Sequence, residues 1–482
     1  MAERSKLRAS LERFSAILND QDIEQILAIQ DQPLPIGVRI NPLKANPAQT
    51  IRALSARYGW QFSPIPFCEN GWVIHSSERS PGTTIEHKMG QYYLQDAASM
   101  VPVSLFDMDI SQPLVLDMAA SPGGKTTHLI DRTGDRGFIL ANDGSKGRIP
   151  ALRAVLANWG GANIAITNYP GESFGTWFPE TFDRVLLDAP CSMENLRPTE
   201  NRPIRETTTD ERLRLHERQL QLLISGLTSL KIGGQMVYAT CSLAPEEDEM
   251  VVNAALVQFP NALQIEDVSH RFQFHTPGIT AFGSERFDPS LAHALRLWPH
   301  LTGMSGFFTV LITKTESIPV ERQTPPSRNL SRTGLSILSE PNLQILEEEL
   351  QAAFGLSLKS VLEQFNLQPC QRNQQLFLIP AAYLDRFQEL PYEYIGMPLG
   401  KWINERFEPS AEFISRFGRV FTRGVIMIAP EQVDQWIAGR DIRNPQIKDS
   451  PQGQYVLVTD LDGRNLGLGK LLPKRLRNML PR

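Results

Sequence analysis

The spacing of apolar positions changes along the chain, and the changes divide it. Over the first ~30 residues Leu11, Phe14, Ile17, Leu18, Ile23, Ile26 and Leu27 recur every three or four positions, which predicts amphipathic helix. Pro33 and Pro35 end that pattern, and Gly37-Val-Arg-Ile-Asn41 follows with a strand's composition, so residues 1–95 are expected to form a small α+β unit. Farther on, short apolar runs alternate with helical patterns: Leu114-Val-Leu, Gly137-Phe-Ile-Leu-Ala, Asn163-Ile-Ala-Ile-Thr, Arg184-Val-Leu-Leu-Asp and Gln235-Met-Val-Tyr-Ala-Thr. Strands apolar at successive positions are covered on both faces, which predicts a mainly parallel sheet between helices. Gly306-Phe-Phe-Thr-Val-Leu-Ile-Thr has the composition of its last strand and closes an α/β unit over 96–314.

The polar, Pro-containing run that opens residues 315–335 reads as a linker. A helix at Leu343–Phe354 belongs to a small connecting unit over 336–395. Gly424-Val-Ile-Met-Ile and Tyr455-Val-Leu-Val-Thr are strands of a last unit over 396–482.

Composition adds exclusions. A length of 482 residues exceeds what one core serves, and 41% hydrophobic with 21% charged residues is ordinary for a folded globular chain. No apolar run approaches the ~18 residues that cross a bilayer, and Met1–Arg8 is charged and helix-like without a signal-peptide core, so no membrane partner and a cytoplasmic location are expected. Cys68, Cys191, Cys241 and Cys370 lie too far apart in sequence to suggest a zinc knuckle or a redox pair, and neither metal nor disulfide is expected. A net charge of -5 argues against nucleic acid coating the whole surface. Gly463–Arg482, however, carries Arg464, Lys470, Lys474, Arg475, Arg477 and Arg482 with no acidic residue, which makes it either a phosphate-binding segment or a solvated end.

Candidate chemistry gathers at the ends of the apolar runs. After Leu114–Leu116 come Asp117 and Met118-Ala-Ala-Ser-Pro-Gly-Gly-Lys-Thr-Thr-His, where small residues let the backbone approach a ligand at the carboxyl edge of a parallel sheet. The pattern is neither a Walker loop nor a GxGxxG turn, and alone it would also serve as an ordinary tight turn. The next run ends at Asp143, about twenty residues past the glycines, where a carboxylate accepts both ribose hydroxyls of a nucleoside cofactor. Asp188-Ala-Pro-Cys191-Ser and Thr240-Cys241-Ser follow two further runs, so both cysteines should reach the same edge.

Two cysteines beside a nucleoside site suit methylation of cytosine at carbon 5. That carbon is a poor nucleophile until a thiolate adds to carbon 6. The thiol must ionise, and Lys125 is a cation that could assist. A second group must remove the carbon 5 proton, a role for which Cys191 is placed. Asp188 would hydrogen-bond N3 and the amino group, stabilising the developing charge and selecting cytosine.

At these residues the chain resembles the Nol1/Nop2/Sun family of RNA cytosine-carbon-5 methyltransferases. The resemblance is carried by Leu116-Asp-Met-Ala-Ala-Ser-Pro-Gly-Gly-Lys-Thr, Asp188-Ala-Pro-Cys-Ser and Tyr238-Ala-Thr-Cys-Ser-Leu-Ala-Pro-Glu-Glu-Asp-Glu. Val38-Arg-Ile-Asn-Pro-Leu-Lys, Gly90-Gln-Tyr-Tyr-Leu-Gln-Asp-Ala-Ala-Ser and His300–Phe308 support it. It implies a Rossmann-like class I methyltransferase domain, S-adenosylmethionine as cofactor, Cys241 as nucleophile and Cys191 as the residue assisting release. Ala119, Ala120, Ser121, Pro122, Gly123, Gly124, Lys125, Asp143, Arg148 and Asp188 would line the cofactor site. Trp436-Ile-Ala-Gly-Arg-Asp and Leu466-Gly-Leu-Gly-Lys resemble the PUA-like extension of bacterial members that modify small-subunit ribosomal RNA. The implied partner is that RNA or the 30S subunit, met by a monomer, with Arg39, Lys44, Arg464, Lys470, Lys474, Arg475 and Arg477 as RNA contacts. A transfer-RNA methyltransferase and an inactive RNA-binding assembly protein are the alternatives.

Two departures from the family pattern stand out. Pro170 occupies the place of an Asp that meets the adenine side, with Asn168 and Glu172 as candidate replacements. Met193-Glu194-Asn195 replaces the usual Gly-x-Gly after the Pro-Cys motif.

Overall fold

The computed structural model describes residues 7–480 apart from 9–10, 31, 77–78, 197–206, 275, 405 and 444–453. Arg482 and Met1–Lys6 therefore lie outside the described residues.

Strands β1 (Ile36–Ile40), β2 (Gln61–Pro64), β3 (Gly71–Ser76) and β4 (Tyr92–Leu94) form an antiparallel sheet in the order β2-β3-β1-β4. Helix Pro47–Tyr58 covers it: Asn46 caps its start by accepting from the Gln49 amide, Pro47 fits the first turn, and Gly59 at φ 68° ends it. Val38, Ile40, Leu54, Trp60, Ile74 and Tyr92 make this unit's core.

The preceding segment goes elsewhere, which corrects two expectations. Asn19 caps a separate helix, Asp20–Ile29, so the apolar pattern is broken there rather than continuing as one helix. Leu7, Leu11, Phe14, Leu18, Ile26 and Leu27 pack with Leu196, Leu243 and Trp298 of the α/β unit. The amphipathic stripe is real, but its partner is the loops after the cysteines, not the N-terminal sheet.

The central sheet contains β5 (Leu114–Asp117), β6 (Phe138–Asn142), β7 (Ile164–Thr167), β8 (Phe182–Asp188) and β9 (Leu230–Thr240), all parallel. After them β10 (Leu263–Ile265), the hairpin β11 (Ala281–Phe282) and β12 (Glu285–Arg286), β13 (Leu295–Leu297) and β14 (Phe307–Lys314) complete the unit. The order is β10-β14-β9-β8-β5-β6-β7, with β14 antiparallel to β9. Alternate residues feed two cores: Leu116, Leu140, Val185, Leu187, Met236 and Tyr238 on one face, Val115, Ile139, Ala141, Leu186, Val237 and Ala239 on the other. The chain lays β6 and β7 on one side of β5, then crosses to place β8 on the other. Such a switch point opens a crevice at the carboxyl ends of β5 and β8.

Residues 315–329 carry no regular element but are tied down, with Ile318 buried and the Gln323 and Arg328 amides donating to Thr176 and Glu389 carbonyls. Beyond them, strands at 336–337, 367–372, 375–380, 397–403 and 406–409 form one sheet. The boundary expected between 395 and 396 therefore fails, because 375–380 pairs directly with 397–403. One core also runs from Leu338 through Leu399 to Leu468, joining this sheet to the last one, which contains 425–427, 455–459, 465–472, 475–478 and 442–443. Tyr394–Ile395 is an antiparallel edge on β7, so this region also extends the central sheet.

Candidate active site

Every parallel strand delivers a polar residue to the crevice edge. Past Asp117 the chain turns through Ala119–Gly124 into helix Gly124–Thr133. Gly123 has φ 114°, and a β-carbon there would lie 2.9 Å from Val155 Cγ1, so no side chain fits. The result is a backbone-lined cradle against a helix N-terminus.

Asp143, 2% exposed, accepts from the Ser121 amide (3.1 Å) and the Ser145 amide (2.9 Å), and Arg148 Nη1 lies 3.5 Å away. Each carboxylate oxygen accepts more than one hydrogen bond, so acceptor sites remain for two hydroxyls. Arg148 also donates to the Ser121 carbonyl, bracing the cradle. A small-residue cradle and a carboxylate one strand over suit a nucleoside cofactor such as S-adenosylmethionine.

The turn after β7 shows how Pro170 is accommodated. Asn142, fully buried, donates to the Met118 and Tyr169 carbonyls and accepts from Thr167 Oγ1 and the Tyr169 amide. Asn168 donates to the Asp143 carbonyl (2.6 Å), and Glu172 pairs with Arg218 at 3.4 Å. Both candidate replacements thus have local partners. Sequence reading passed over Asn142, although its place at a strand's carboxyl end was a signal.

Lys125 Nζ meets Asp188 Oδ2 at 2.7 Å and Ser99 Oγ at 2.9 Å. The ammonium expected to assist a thiol is thus engaged with the carboxylate expected to read the base. Asp117, expected at this edge but given no role, is buried, accepts from Thr126 Oγ1 (2.7 Å) and has Oδ1 without a protein partner among the described groups. Burial raises its pKa to about 7.

The two cysteine sulfurs lie 3.3 Å apart, brought together by the adjacency of β8 and β9. Hydrogen bonding to Cys241, then burial, raises the Cys191 pKa well above the usual thiol range. Beneath them, fully buried Glu247 accepts from the Ser192 amide (2.8 Å), Ser192 Oγ, Ser242 Oγ (2.9 Å) and Gln219 Nε2 (3.0 Å). Asp248 accepts from Thr240 Oγ1 at 2.6 Å. Met193 adopts φ 64°, keeping a glycine-like turn without glycine. Glu194 is held by Arg13 (3.0 Å) and Arg212 (2.7 Å), so the N-terminal segment clasps this loop.

The expected RNA contacts divide sharply. Arg39 is a correction: it is fully buried, pairs with Asp131 and donates to the Gly124 carbonyl, serving the cradle from behind. Lys44 is also spent internally, donating to the Met89 and Asn158 carbonyls and to Ser415 Oγ. Arg464 pairs with Glu86 (3.0 Å) and Asp460 (2.5 Å), and Lys470 donates to the Tyr455 hydroxyl (2.9 Å). These four are structural because each meets its acceptors inside the protein. Lys474, Arg475 and Arg477 are exposed, with Arg475 also 3.2 Å from Asp441.

Among the described residues no group of three potential ligands could hold a metal, and no helix is long and apolar enough to cross a membrane. Residues 108–313 match the family model described as 16S rRNA methyltransferase RsmB/F, and residues 8–97 match the N-terminal domain of 16S rRNA methyltransferase RsmF. The chain is 32% identical to ribosomal RNA small subunit methyltransferase F of Klebsiella pneumoniae, covering 95% of this chain and 92% of that one. For the protein of the same name from Shigella dysenteriae the identity is 30%, covering 97% and 94%. Among solved structures, a methyltransferase homologue from Pyrococcus horikoshii is similar with TM-score 0.55 and 30% identity, over 63% of this chain and 93% of that one.

Proposed function

Because the chain belongs to the 16S rRNA methyltransferase RsmB/F family, we propose that it methylates carbon 5 of a cytosine in small-subunit ribosomal RNA, with S-adenosylmethionine as methyl donor. The observation that carries this reading is the 3.3 Å approach of the Cys191 and Cys241 sulfurs, on the sheet edge that also bears the Lys125–Asp188 pair. Ala119–Gly124 and Asp143 would hold the cofactor, with Arg148 bracing the loop. When bound, it supplies an electrophilic methyl group.

The Nol1/Nop2/Sun resemblance gives the sulfurs different roles: Cys241, in Thr240-Cys-Ser, bonds carbon 6, and Cys191, whose pKa is raised by its hydrogen bond with Cys241 and by burial, enters as a thiol. That addition moves the carbon 5–carbon 6 π electrons toward carbon 5 and into the ring, where Asp188 accepts from the amino group and the Lys125 ammonium beside it offsets the charge gathering at N3. With Cys241 bonded to carbon 6 as a thioether, the Cys191 thiol passes its proton to solvent; the resulting thiolate takes the carbon 5 proton after methylation, and elimination restores the double bond while releasing Cys241 as a thiolate.

The target base must leave its stack to reach the sulfurs, at a cost of a few kcal/mol that RNA contacts elsewhere offset. We assign those contacts to the last sheet, as a PUA-like unit, through Lys474, Arg475 and Arg477.

The test incubates wild-type, Cys191→Ala and Cys241→Ala protein with cofactor and small-subunit RNA, then scores adducts that survive denaturation. Cys191→Ala should accumulate a protein–RNA adduct and Cys241→Ala should form none. An adduct that depends on Cys191 instead would reverse the roles. Absence of both adduct and methyl transfer would refute the function.

A further inference from the structure

Neither sulfur is aligned by its own residue alone. Each catalytic cysteine is followed by a serine, and the two serine hydroxyls lie 3.3 Å apart, matching the sulfur separation. Both hydroxyls and the Ser192 amide donate to one carboxylate, Glu247. Gln219 extends the arrangement, donating to Glu247 Oε2 (3.0 Å) and to the Pro190 carbonyl just before Cys191 (2.8 Å). The Glu247 carbonyl accepts from the Tyr238 hydroxyl on β9 at 2.5 Å. Glu247 therefore touches the chain just after each cysteine and also before Cys241, and it reaches the residue before Cys191 through Gln219.

A fully buried carboxylate is costly unless donors converge on it, and here the four donors are uncharged. Glu247 also directly precedes Asp248 at the N-terminus of helix Glu249–Gln258, where the helix dipole favours negative charge. If the site needed only packing, apolar residues would fill it at lower cost. What a carboxylate adds is the ability to accept from two loops at once at fixed distances.

We propose that Glu247 is a positioning residue that sets the separation and mutual facing of the Cys191 and Cys241 sulfurs; its catalytic part rests on the cytosine-methylating reading above. The consequence concerns the handover between sulfurs. One must reach carbon 6 and the other the proton on carbon 5 of the same base, so a loop shift of a fraction of an ångström separates the two steps. Its negative charge also adds to the elevation of the Cys191 pKa. Removing it should both loosen the pair and lower the Cys191 pKa.

Three variants test this: Glu247→Gln, which keeps the shape but loses one acceptor oxygen and the charge; Glu247→Asp, which keeps the charge but shortens the reach; and Ser242→Ala, which removes a single contact. Each folded variant is compared with wild type by kcat, by KM for cofactor and RNA, and by the pH profile of kcat. The sulfur geometry is read independently, as the rate at which the azo oxidant diamide closes Cys191 and Cys241 into a disulfide; two thiols lose two electrons and two protons to the reduced hydrazide.

Glu247→Gln should lower kcat about 10- to 100-fold with KM values within about threefold of wild type. It should also slow disulfide closure by about tenfold and shift the pH profile. Glu247→Asp should keep the wild-type profile while sharing the slower closure, and Ser242→Ala should show a weaker form of the closure defect. Should Glu247→Gln fail to fold, Ser242→Ala carries the same test, and closure at the wild-type rate in that variant overturns the proposal. A folded Glu247→Gln protein with reduced stability but unchanged kcat and closure rate would make the residue merely structural. If wild type transfers no methyl group to any RNA, the enzymatic reading fails, while the closure rates still decide whether Glu247 aligns the sulfurs.

Discussion

The crevice edge and the junction of the C-terminal region with the rest of the chain both hold ion pairs, but they use them differently. In the crevice, Lys125 and Asp188 meet at 2.7 Å with the Asp188 side chain 31% exposed, so the pair faces the space a substrate would enter and can exchange partners. At the junction, Arg416 reaches Asp135 at 3.4 Å with both side chains at most 5% exposed, and Arg464 joins Glu86 to Asp460. Those charges are largely closed off from solvent, with Arg57 a further partner of Glu86. The first arrangement suits chemistry and the second suits rigid docking. An ion pair's role follows from what it faces, not from its presence.

The sharpest way to break that comparison is to remove charge from each pair. Asp188→Asn should lower kcat by about 10²- to 10³-fold while leaving the unfolding midpoint close to wild type, because it removes the acceptor for the base's amino group and the anion that holds Lys125 beside the ring. Arg416→Met should do the reverse. It leaves Asp135 buried with the Ala162 and Asn163 amides but without its opposite charge, and should cost roughly 3 kcal/mol in denaturant unfolding, with kcat of the folded protein little changed. If Arg416→Met instead abolished activity at full stability, the division between the two regions would be wrong.

Protonation refines the contrast inside the crevice itself. Burial raises the Asp117 pKa to about 7, above its ordinary value of 3.8. The folded state therefore holds this proton more tightly than the unfolded chain. The stability it contributes is fully present below about pH 4 and is lost as pH rises through about 7. Asp117→Asn removes that dependence, so its stability relative to wild type should grow between pH 4 and pH 8, by an upper limit on the order of 4 kcal/mol. A flat difference across that range would mean the carboxyl is not held protonated.

What could be read in advance follows the same line. Strand ends were legible because a parallel sheet forces the residue after each apolar run to one edge, so Asp117, Asp143, Asp188, Cys191 and Cys241 needed only their spacing to be brought near one another. The roles of Glu247, which stands in the quoted Tyr238–Glu249 motif, and of Asn142 were not read, because they lie in which loops these residues join, and that depends on β8 lying beside β9 and β6 beside β7. The N-terminal stripe was legible as a helix face but its partner was not: hydrophobic burial is non-directional, and nothing in Leu11 or Phe14 names Leu196 and Leu243 as neighbours. The unit boundary at 395 failed for a related reason, since a strand's pairing partner across Gly396 is set by tertiary register. Basic residues misled most, because a count of Lys and Arg does not say which have internal acceptors.

That last point yields the smallest predicted effect and the finest test of the comparison. Arg475 and Arg477 stand two apart on the strand Arg475–Asn478, with buried Leu476 between them facing inward, and exposed Lys474 adjoins them. Alternation puts both arginines on the outer face, where they are available to phosphate. Arg464 lies only a few residues earlier in the sequence but is bound to Glu86 and Asp460. Replacing Lys474, Arg475 and Arg477 together by Ala should reduce the slope of log affinity for RNA against log salt by about 2, the loss expected when three phosphate contacts to single-stranded RNA disappear. Arg464→Ala should lower the unfolding midpoint and leave that slope unchanged. If Arg464→Ala shifts the slope as the triple variant does, its pairing at the junction is exchangeable, and the distinction between a site pair and a docking pair is one of degree.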